Sequence, residues 1–586
     1  MRPLNLFTLL CLATSTFLLQ ACGGGGGGGG AAMPPTADEP IEVDLSIADL
    51  GLPPGVELVG AFDPLAEVYF LRAGHLVDTL VLRPVVTGEV FIPSLGDFLP
   101  GFDGIGLLLE EGPNEAQFTL AATATLEERI VRFSIERERP DDLRQEHLVK
   151  SSGLQPGDRH GASLDILEDF MVVGSPFEDV VHEGATIPEA GAVYVYRREG
   201  QGWSEFARLQ SIAPGSGDQY GASVAMDFGR LIVGAPGEDG EGVLDLADIN
   251  ENAPDCGAAY TYSLRDSGVE FDRYLKPDNA IPRKTKGFGE AVAVDGGLFV
   301  VGAPNEGTTV DPTLGVVPAP NAGAVYLFSI QGSATPLQRI QATDAAANQG
   351  FGSALGFDAF RLAVGAPGAN GARGKVYVYA PGSPFPSFGI EAELAAPVSD
   401  LFDGFGATVD MDGGLLAVGA PLEDSGAEGV GGNQIDDSKT NSGAVYLFRR
   451  QAVQNVVTYE FEDYIKGVGN LGGERFGTAL DLRGDRLCVG APLQRRPALG
   501  EAQGPIAPVR AVGAAFFYIR RGEVWELGAT LTAPNAHEGA EFGAAIAMEL
   551  ADLIVGSPKD RTFGQGIDAS SVVLVGQGGG AVNNFR

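Results

Sequence analysis

A seven-bladed β-propeller, closed into a ring, is the fold this sequence predicts, and three observations predict it. The first is a fixed spacing: a Phe-Gly pair, or His-Gly or Tyr-Gly in its place, is followed, thirteen residues on, by the glycine of a Val-Gly-Ala-Pro or Val-Gly-Ser-Pro motif, seven times over. The glycine pairs are Gly161 and Gly174, Gly221 and Gly234, Gly289 and Gly302, Gly352 and Gly365, Gly406 and Gly419, Gly477 and Gly490, and Gly543 and Gly556, with His160 in the Phe position of the first. The second is a later strand of the type Gly-Ala-Val-Tyr-Val-Tyr (Gly191 to Tyr196, Gly323 to Phe328, Gly443 to Phe448), reached through loops of very different length. A constant core with variable connections is how a repeat unit with a free loop reads. The third is a pair of complementary ends, which a solenoid would not need.

The chain opens with an export signal, residues 1–21. Arg2 precedes an apolar stretch, Leu4 to Leu19, too short to span a bilayer as a stable helix. Its end, Leu19-Gln20-Ala21-Cys22, resembles a bacterial lipobox, which implies that Cys22 is acylated and begins the mature chain. A standard signal peptidase site is the other reading, because Gln20 is unusual there. Residues 22–40, rich in glycine from Gly23 to Gly30, form a tether of about 25 Å mean span. Gly23 after the cysteine implies, by the same resemblance, onward transport to an outer membrane or the cell surface. Of the four cysteines, only Cys256 and Cys488 then remain, in different repeats, so no disulfide framework is expected.

Residues 41–138 read as a small all-β domain, an immunoglobulin-like sandwich. Short strands recur at intervals of about ten residues: Val56 to Phe62, Glu67 to Leu71, Val77 to Leu82, Glu89 to Ile92, Gln117 to Ala121 and Ile130 to Ile135. The propeller follows over residues 141–577, with 578–586 as a tail. Repeat 5 is the template for a blade. Ala407 to Met411 alternates, Asp412-Gly413-Gly414 makes a tight turn, and Leu415 to Val418 is continuously apolar. Gly443 to Phe448 and the more polar Val457 to Tyr464 complete it. Gly419 and Ala420 permit close backbone approach, Pro421 ends the ladder, and Phe405 offers a wedge to the next blade. Repeat 7 has three strands, the third at Ser570 to Val575, and no fourth. Ahead of repeat 1, Gln145 to Lys150 is a fourth strand without its first three. Placing it in blade 7 closes the ring and leaves no open sheet edge.

With 77 acidic against 39 basic residues the formal net charge is −38. Such a surface disfavours nucleic acid and anionic lipid. It suits divalent cations or a basic partner, and simple solubility as well.

The seven registered motifs resemble the FG-GAP repeat of integrin alpha-chain propellers and of bacterial surface proteins. In that family the calcium loop joins the first and second strands. Here Asp295-Gly296-Gly297 and Asp412-Gly413-Gly414 are tight turns with too few oxygens. Acidic residues gather instead between the second and third strands: Glu178 and Asp179, Glu238 and Asp239, then Asp245 and Asp248; Glu423 and Asp424, then Asp436 and Asp437. These are the candidate calcium ligands, and plain solvated loops are the competing reading. Arg483-Gly484-Asp485 spells an adhesion tripeptide at a hairpin turn that turn chemistry alone accounts for. No catalytic residue is assigned. The five histidines lack metal-ligand spacing, and neither Gly-x-Ser-x-Gly nor His-Glu-x-x-His occurs.

The expectation is a lipid-anchored, monomeric cell-surface protein that is not an enzyme. It engages an extracellular protein or glycan through the loops after Gly-Ala-Pro, with calcium as a possible cofactor. The alternatives are an enzyme acting on polysaccharide in the propeller channel and a structural part of an envelope assembly.

Overall fold

The computed structural model describes residues 143 and 145–585, apart from 201, 241–255, 278–284, 312–314, 455, 498–508, 550–551, 563–565 and 568–578, and gives the backbone of nine strands between Ile47 and Arg137. The signal, the tether, Cys22, Asp245 and Asp248 lie outside the described residues. Among those described, no helix is long and apolar enough to cross a membrane.

Seven antiparallel sheets follow one another, each built on four strands, in chain order in blades 1 to 6; short edge strands, Gly429–Val430 and Gly566–Ile567, are added in blades 5 and 7. Blade 5 is typical: Thr408–Asp412, Leu415–Ala420, Ala444–Val453 and Val456–Lys466. Its second strand, Leu-Leu-Ala-Val-Gly-Ala, is buried along its whole length, and the fourth alternates exposed with half-buried residues over its first half. Apolar strands therefore sit inside the blade and polar ones outside. The first strands of neighbouring blades pack on one another in a closed cycle that runs from blade 7 back to blade 1.

The signature glycines make this cycle possible. Within a blade the first glycine donates its N–H to the carbonyl of the second, as from Gly406 to Gly419 at 3.0 Å. Between blades the second glycine meets the first glycine of the next repeat. A Cβ on Gly174 would lie 2.1 Å from the Gly221 carbonyl oxygen, and one on Gly556 would lie 2.2 Å from that of Gly161. No side chain fits there, and the closing joint is the same as the internal ones. Phe405 stands beside this joint, but it faces its own blade rather than the next. Its ring packs edge-on against Tyr446 and Phe448 at 5.4 and 6.0 Å, while its backbone bridges to Gly374 of blade 4. Tyr220 and His160 hold the same place in blades 2 and 1.

Blade 7 joins the two ends of the chain. Its strand order is Ile546–Glu549, Asp552–Ser557, Ala581–Phe585, then Gln145–Lys150, with the short Gly566–Ile567 at the edge. The closure by Gln145–Lys150 is as expected, with Val149 opposite Val582. The third strand is not. Ser570 to Val575 lies outside the described residues, and the residues read as a tail form the strand, Val555 pairing with Asn583. The β-branched run at Ser570 to Val575 is the better strand former by propensity, but Ala581–Phe585 has the polar partners a buried strand needs. Asn583 donates to Val555 O and Ser557 Oγ, and Asn584 to Asp552 Oδ1 at 2.8 Å.

In the N-terminal region all six expected segments contain strand. Five of them form one five-stranded sheet in the order Val56–Leu58, Val68–Ala73, Glu128–Arg137, Gly112–Ala122, Val90–Phe91, with Val68–Ala73 and Glu128–Arg137 parallel. Thr79–Leu82 pairs with Ile105–Leu108, and Ile47–Asp49 with Val85–Val86. These ladders define a mixed sheet and two small ladders, and two facing layers are not defined by them.

Candidate functional site: the loop face

The second-to-third-strand loops are rooted in one recurring device. Four residues after the second glycine stands an acid in five blades: Glu178, Glu238, Glu306, Glu423 and Asp560. Proline has just ended the ladder, and a turn brings this residue's N–H back to the strand end, as from Glu423 to Ala420 O at 3.2 Å. Its carbonyl then accepts the N–H of the glycine that opens the third strand. Gly191 bonds to Glu178 at 3.0 Å, Gly257 to Glu238 at 2.8 Å, Gly323 to Glu306 at 3.1 Å and Gly443 to Glu423 at 2.9 Å. Ala369 and Gln494 do the same in blades 4 and 6. In every blade the third strand opens on the carbonyl of this one residue, and in blades 1, 2, 5, 6 and 7 its N–H also returns to the end of the second strand, so that both ends of the loop are pinned on it.

The acidic side chains turn inward, not toward solvent. Glu178 takes Arg208 at 2.6 Å and the Tyr194 hydroxyl at 3.0 Å. Glu238 holds Lys276 and Tyr274, Glu306 holds Arg339 and Tyr326, and Glu423 holds Lys466 and Tyr464. Asp560 pairs with Lys150 at 2.8 Å across the closing seam. All five acids are buried. Two arrangements recur. An arginine comes from opposite the third-strand tyrosine, as Arg208 opposite Tyr194; a lysine comes from further along, past a fourth-strand tyrosine, as Lys466 beyond Tyr464. Blade 6 has neither acid nor hydroxyl, with Gln494 and Phe516 in those places. In blade 4, where Ala369 replaces the acid, Tyr377 and Lys375 bond Asp344 from the preceding connection instead. Burial raises the Glu178 carboxyl and Arg208 opposes it; burial likewise lowers the Lys466 ammonium against the pull of Glu423.

Several of the acids read as calcium ligands are thus already engaged. Glu178, Glu238 and Glu423 each already hold a cation, Asp179 accepts Glu189 N at 3.0 Å, Asp424 accepts Asn441 N at 2.7 Å, and Asp436 accepts Ser438 N at 3.1 Å. Asp239 is half-buried and Asp437 exposed. Among the described residues no three His, Cys, Asp or Glu side chains converge to hold a metal. Sequence reasoning missed Glu306, Asp560 and all five cations. The signal for the acids was position, four after the glycine, rather than the Glu-Asp dipeptide.

On the loop face at the junction of blades 7 and 1, a cavity of about 880 Å³ is lined by Arg159, Phe177, Asp179, Glu189, Lys559 and Arg561. The Arg159 guanidinium lies 4.2 Å above the Phe177 ring. Burial raises the nearby Asp158 carboxyl to about 7, opposed by the N–H it accepts from Gln155.

The axial channel is polar as well. Asp165, Asp410 and Asp481 occupy one register of the first strands, where other blades have alanine or glycine. Each bonds the main chain of the next blade: Asp165 to Met226 N, Asp410 to Leu482 N and Asp481 to Met548 N at 2.5, 2.7 and 3.0 Å. Burial raises Asp165 to about 7, and raises Asp410 and Asp481 too. Arg483 sits 3.6 Å from Asp481 and donates to Met548 O, while Gly484 N bonds Asp412. The Arg-Gly-Asp tripeptide is a joint of the ring.

Repeats that share one sheet plan, interlock through glycines and close with a strand from the opposite end define a repeat-built β-propeller. The FG-GAP repeat model matches residues 203–262, and the chain is a seven-bladed β-propeller that carries this repeat. No curated protein sequence matches it. Among solved structures it is similar to a putative 6-phosphogluconolactonase from Bacteroides uniformis ATCC 8492, at 10% identity and a TM-score of 0.38, covering 71% of this chain and 92% of that one. The FG-GAP propeller supports a binding or structural role in general.

Proposed function

We propose that this is a lipid-anchored protein of the cell envelope that binds an extracellular protein or glycan through its second-to-third-strand loops. The observation that carries the reading is the closure of the loop root on one residue, whose carbonyl holds the start of the third strand in every blade and whose N–H holds the end of the second in five. A loop closed at its root varies in length and sequence at little cost to the blade beneath, which is what a recognition surface requires. The cavity beside Phe177 adds a concave place on that face, with both charge signs and an aromatic ring. The reading is of a binder rather than a channel enzyme, since Asp165, Asp410 and Asp481 hold blades together through main-chain N–H groups. The N-terminal strands are read as a small sandwich that spaces the propeller from its anchor.

The test replaces residues 425–440 by a short Gly-Ser link between Asp424 and Asn441. Capture of partners from surface extracts is expected to fall while the unfolding midpoint stays within a few degrees. Unchanged capture across such replacements in blades 1, 3 and 5 would remove the loop face from the reading. Cys22→Ala is expected to move the protein out of the membrane fraction, and its retention there would end the anchor proposal.

A further inference from the structure

The face opposite the loops carries exposed aromatics where the backbone asks for glycine. Here the first and second strands of blades 2 to 5 join in two-residue turns whose central positions both lie in the left-handed region. Blades 3 and 5 meet this with glycine, Gly296 and Gly297 at φ 56° and 88°, Gly413 and Gly414 at 55° and 85°. Blade 2 instead places Phe228 at φ 32°, and blade 4 places Ala359 and Phe360 at 47° and 60°. A bulky residue held there is strained, and strain kept in a surface turn points to a use for the side chain. Phe228 is 81% exposed and Phe385, from the next turn of blade 4, 56%. Phe360 stacks edge-on with Phe385 at 5.7 Å and covers Gly296 of blade 3, where a Cβ would lie 2.5 Å from its ring. The turns are linked, Asp295 accepting Phe360 N at 3.0 Å. Beside Phe228 a cavity of about 280 Å³, lined by Leu167, Phe170, Met226, Leu264 and Arg230, opens between blades 1 and 2.

The chain itself supplies an occupant. The fourth strand of blade 7 begins at Gln145, opposite Phe585 at the far end of the third strand, so the N-terminal region enters on this same face. Its last strand ends at Arg137, leaving residues 138–144 as the connection. Seven residues reach at most roughly 24 Å. A domain held so close samples the face at about millimolar effective concentration, so even a weak apolar contact stays occupied.

We propose that the Phe228, Phe360 and Phe385 face docks the chain's own N-terminal β-domain, residues 47–137. Docking there leaves the loop face pointing away from the N-terminal segment. To test it, a specific protease site is placed within residues 138–144 of the full chain, which is cut and examined by analytical sedimentation at about 0.5 mM, near the effective concentration that the intact connection supplies. The N-terminal fragment is expected to stay with the propeller. In the variant Phe228→Gly, Phe360→Gly, Phe385→Ser it is expected to separate, with affinity at least tenfold weaker. Glycine relieves the strain at two of these sites, so the variant propeller should melt no lower than the parent, and this checks that it folds. Separation of the unsubstituted fragment overturns the proposal, as does retention by the folded variant. Two other occupants would overturn it as well: phosphatidylglycerol vesicles bound by the uncut chain, or a dimer, if either is lost with the three phenylalanines.

Discussion

Blades 5 and 7 solve the same problem with different chain. In blade 5 the four strands follow one another, and Lys466 meets Glu423 over 43 residues; in blade 7 the outer strand comes from the start of the propeller, and Lys150 meets Asp560 over 410. The chemistry is the same, a lysine buried beside the acid that roots a loop. What differs is connectivity: the strands of blade 5 are joined by their own turns, whereas the outer strand of blade 7 is held to its other three only by pairing. The clamp is therefore decoration on a covalent hairpin in one blade and part of the lock in the other.

Removing the lock should show the largest effect. Deleting Gln145–Lys150 exposes the edge of Ala581–Phe585 and leaves Asp560 without its cation. Loss of a single cooperative melt, with aggregation on gel filtration, is the expected outcome; a monomer that melts as the parent does would show that the seam is dispensable. Next come the paired substitutions Lys150→Met and Lys466→Met. Each strands a buried acid and should cost about 3–5 kcal/mol in urea unfolding. Equal costs would mean the seam is as strong as an internal blade, while a larger cost at Lys150 would mark it as the weakest joint.

Titration separates the axis from the seam more finely. Burial raises Asp165 to about 7, so the folded state holds a proton that the unfolded chain, near 3.8, has lost. The stability tied to that proton is full below about 3.8 and declines as pH rises toward 7, by up to about 1.4 kcal/mol per pH unit. Asp165→Asn should flatten this decline in midpoints measured from pH 4 to 8, and an unchanged profile would deny Asp165 its role. At the seam the sign is opposite. His160 is fully enclosed, its Nδ1 2.9 Å from Ser175 Oγ and its Nε2 3.2 Å from the Tyr196 hydroxyl, and burial, with Lys150 adding to it, lowers its pKa to about 3. The unfolded chain takes up that proton near 6.5, so stability drains away as pH falls from 6.5 toward 3. His160→Phe, which restores the residue used at this place in blades 3 to 7, should raise the midpoint at pH 4.5 and change it little at pH 8. The smallest effect is expected from calcium: millimolar calcium after chelation should leave the midpoint where it was. A rise of several degrees would reopen the loop acids as ligands.

Much of this architecture can be read from the chain, because glycine leaves a clear mark where two backbones nearly touch. The spacing of Gly406 to Gly419 encodes one hydrogen bond inside a blade, and Gly419 to Gly477 encodes one contact between blades. The orphan strand Gln145–Lys150 was legible because its companions were missing in the one place a ring would need it. The loop acids were not legible as clamps, since Glu178 and Glu423 find their cations 30 and 43 residues downstream, at the end of a strand whose register the pattern does not give. Ala581–Phe585 was hidden by its asparagines, whose fitness for a strand depends on Ser557 and Asp552 rather than on propensity.

The outer strand of blade 7 also sets a clock. At a synthesis rate of about 5–20 residues per second, the 410 residues between Lys150 and Asp560 take roughly 20–80 s to emerge. Through that interval the first propeller strand to be made waits unpaired while six blades assemble behind it. It is the earliest piece of the ring and the last to be set in place.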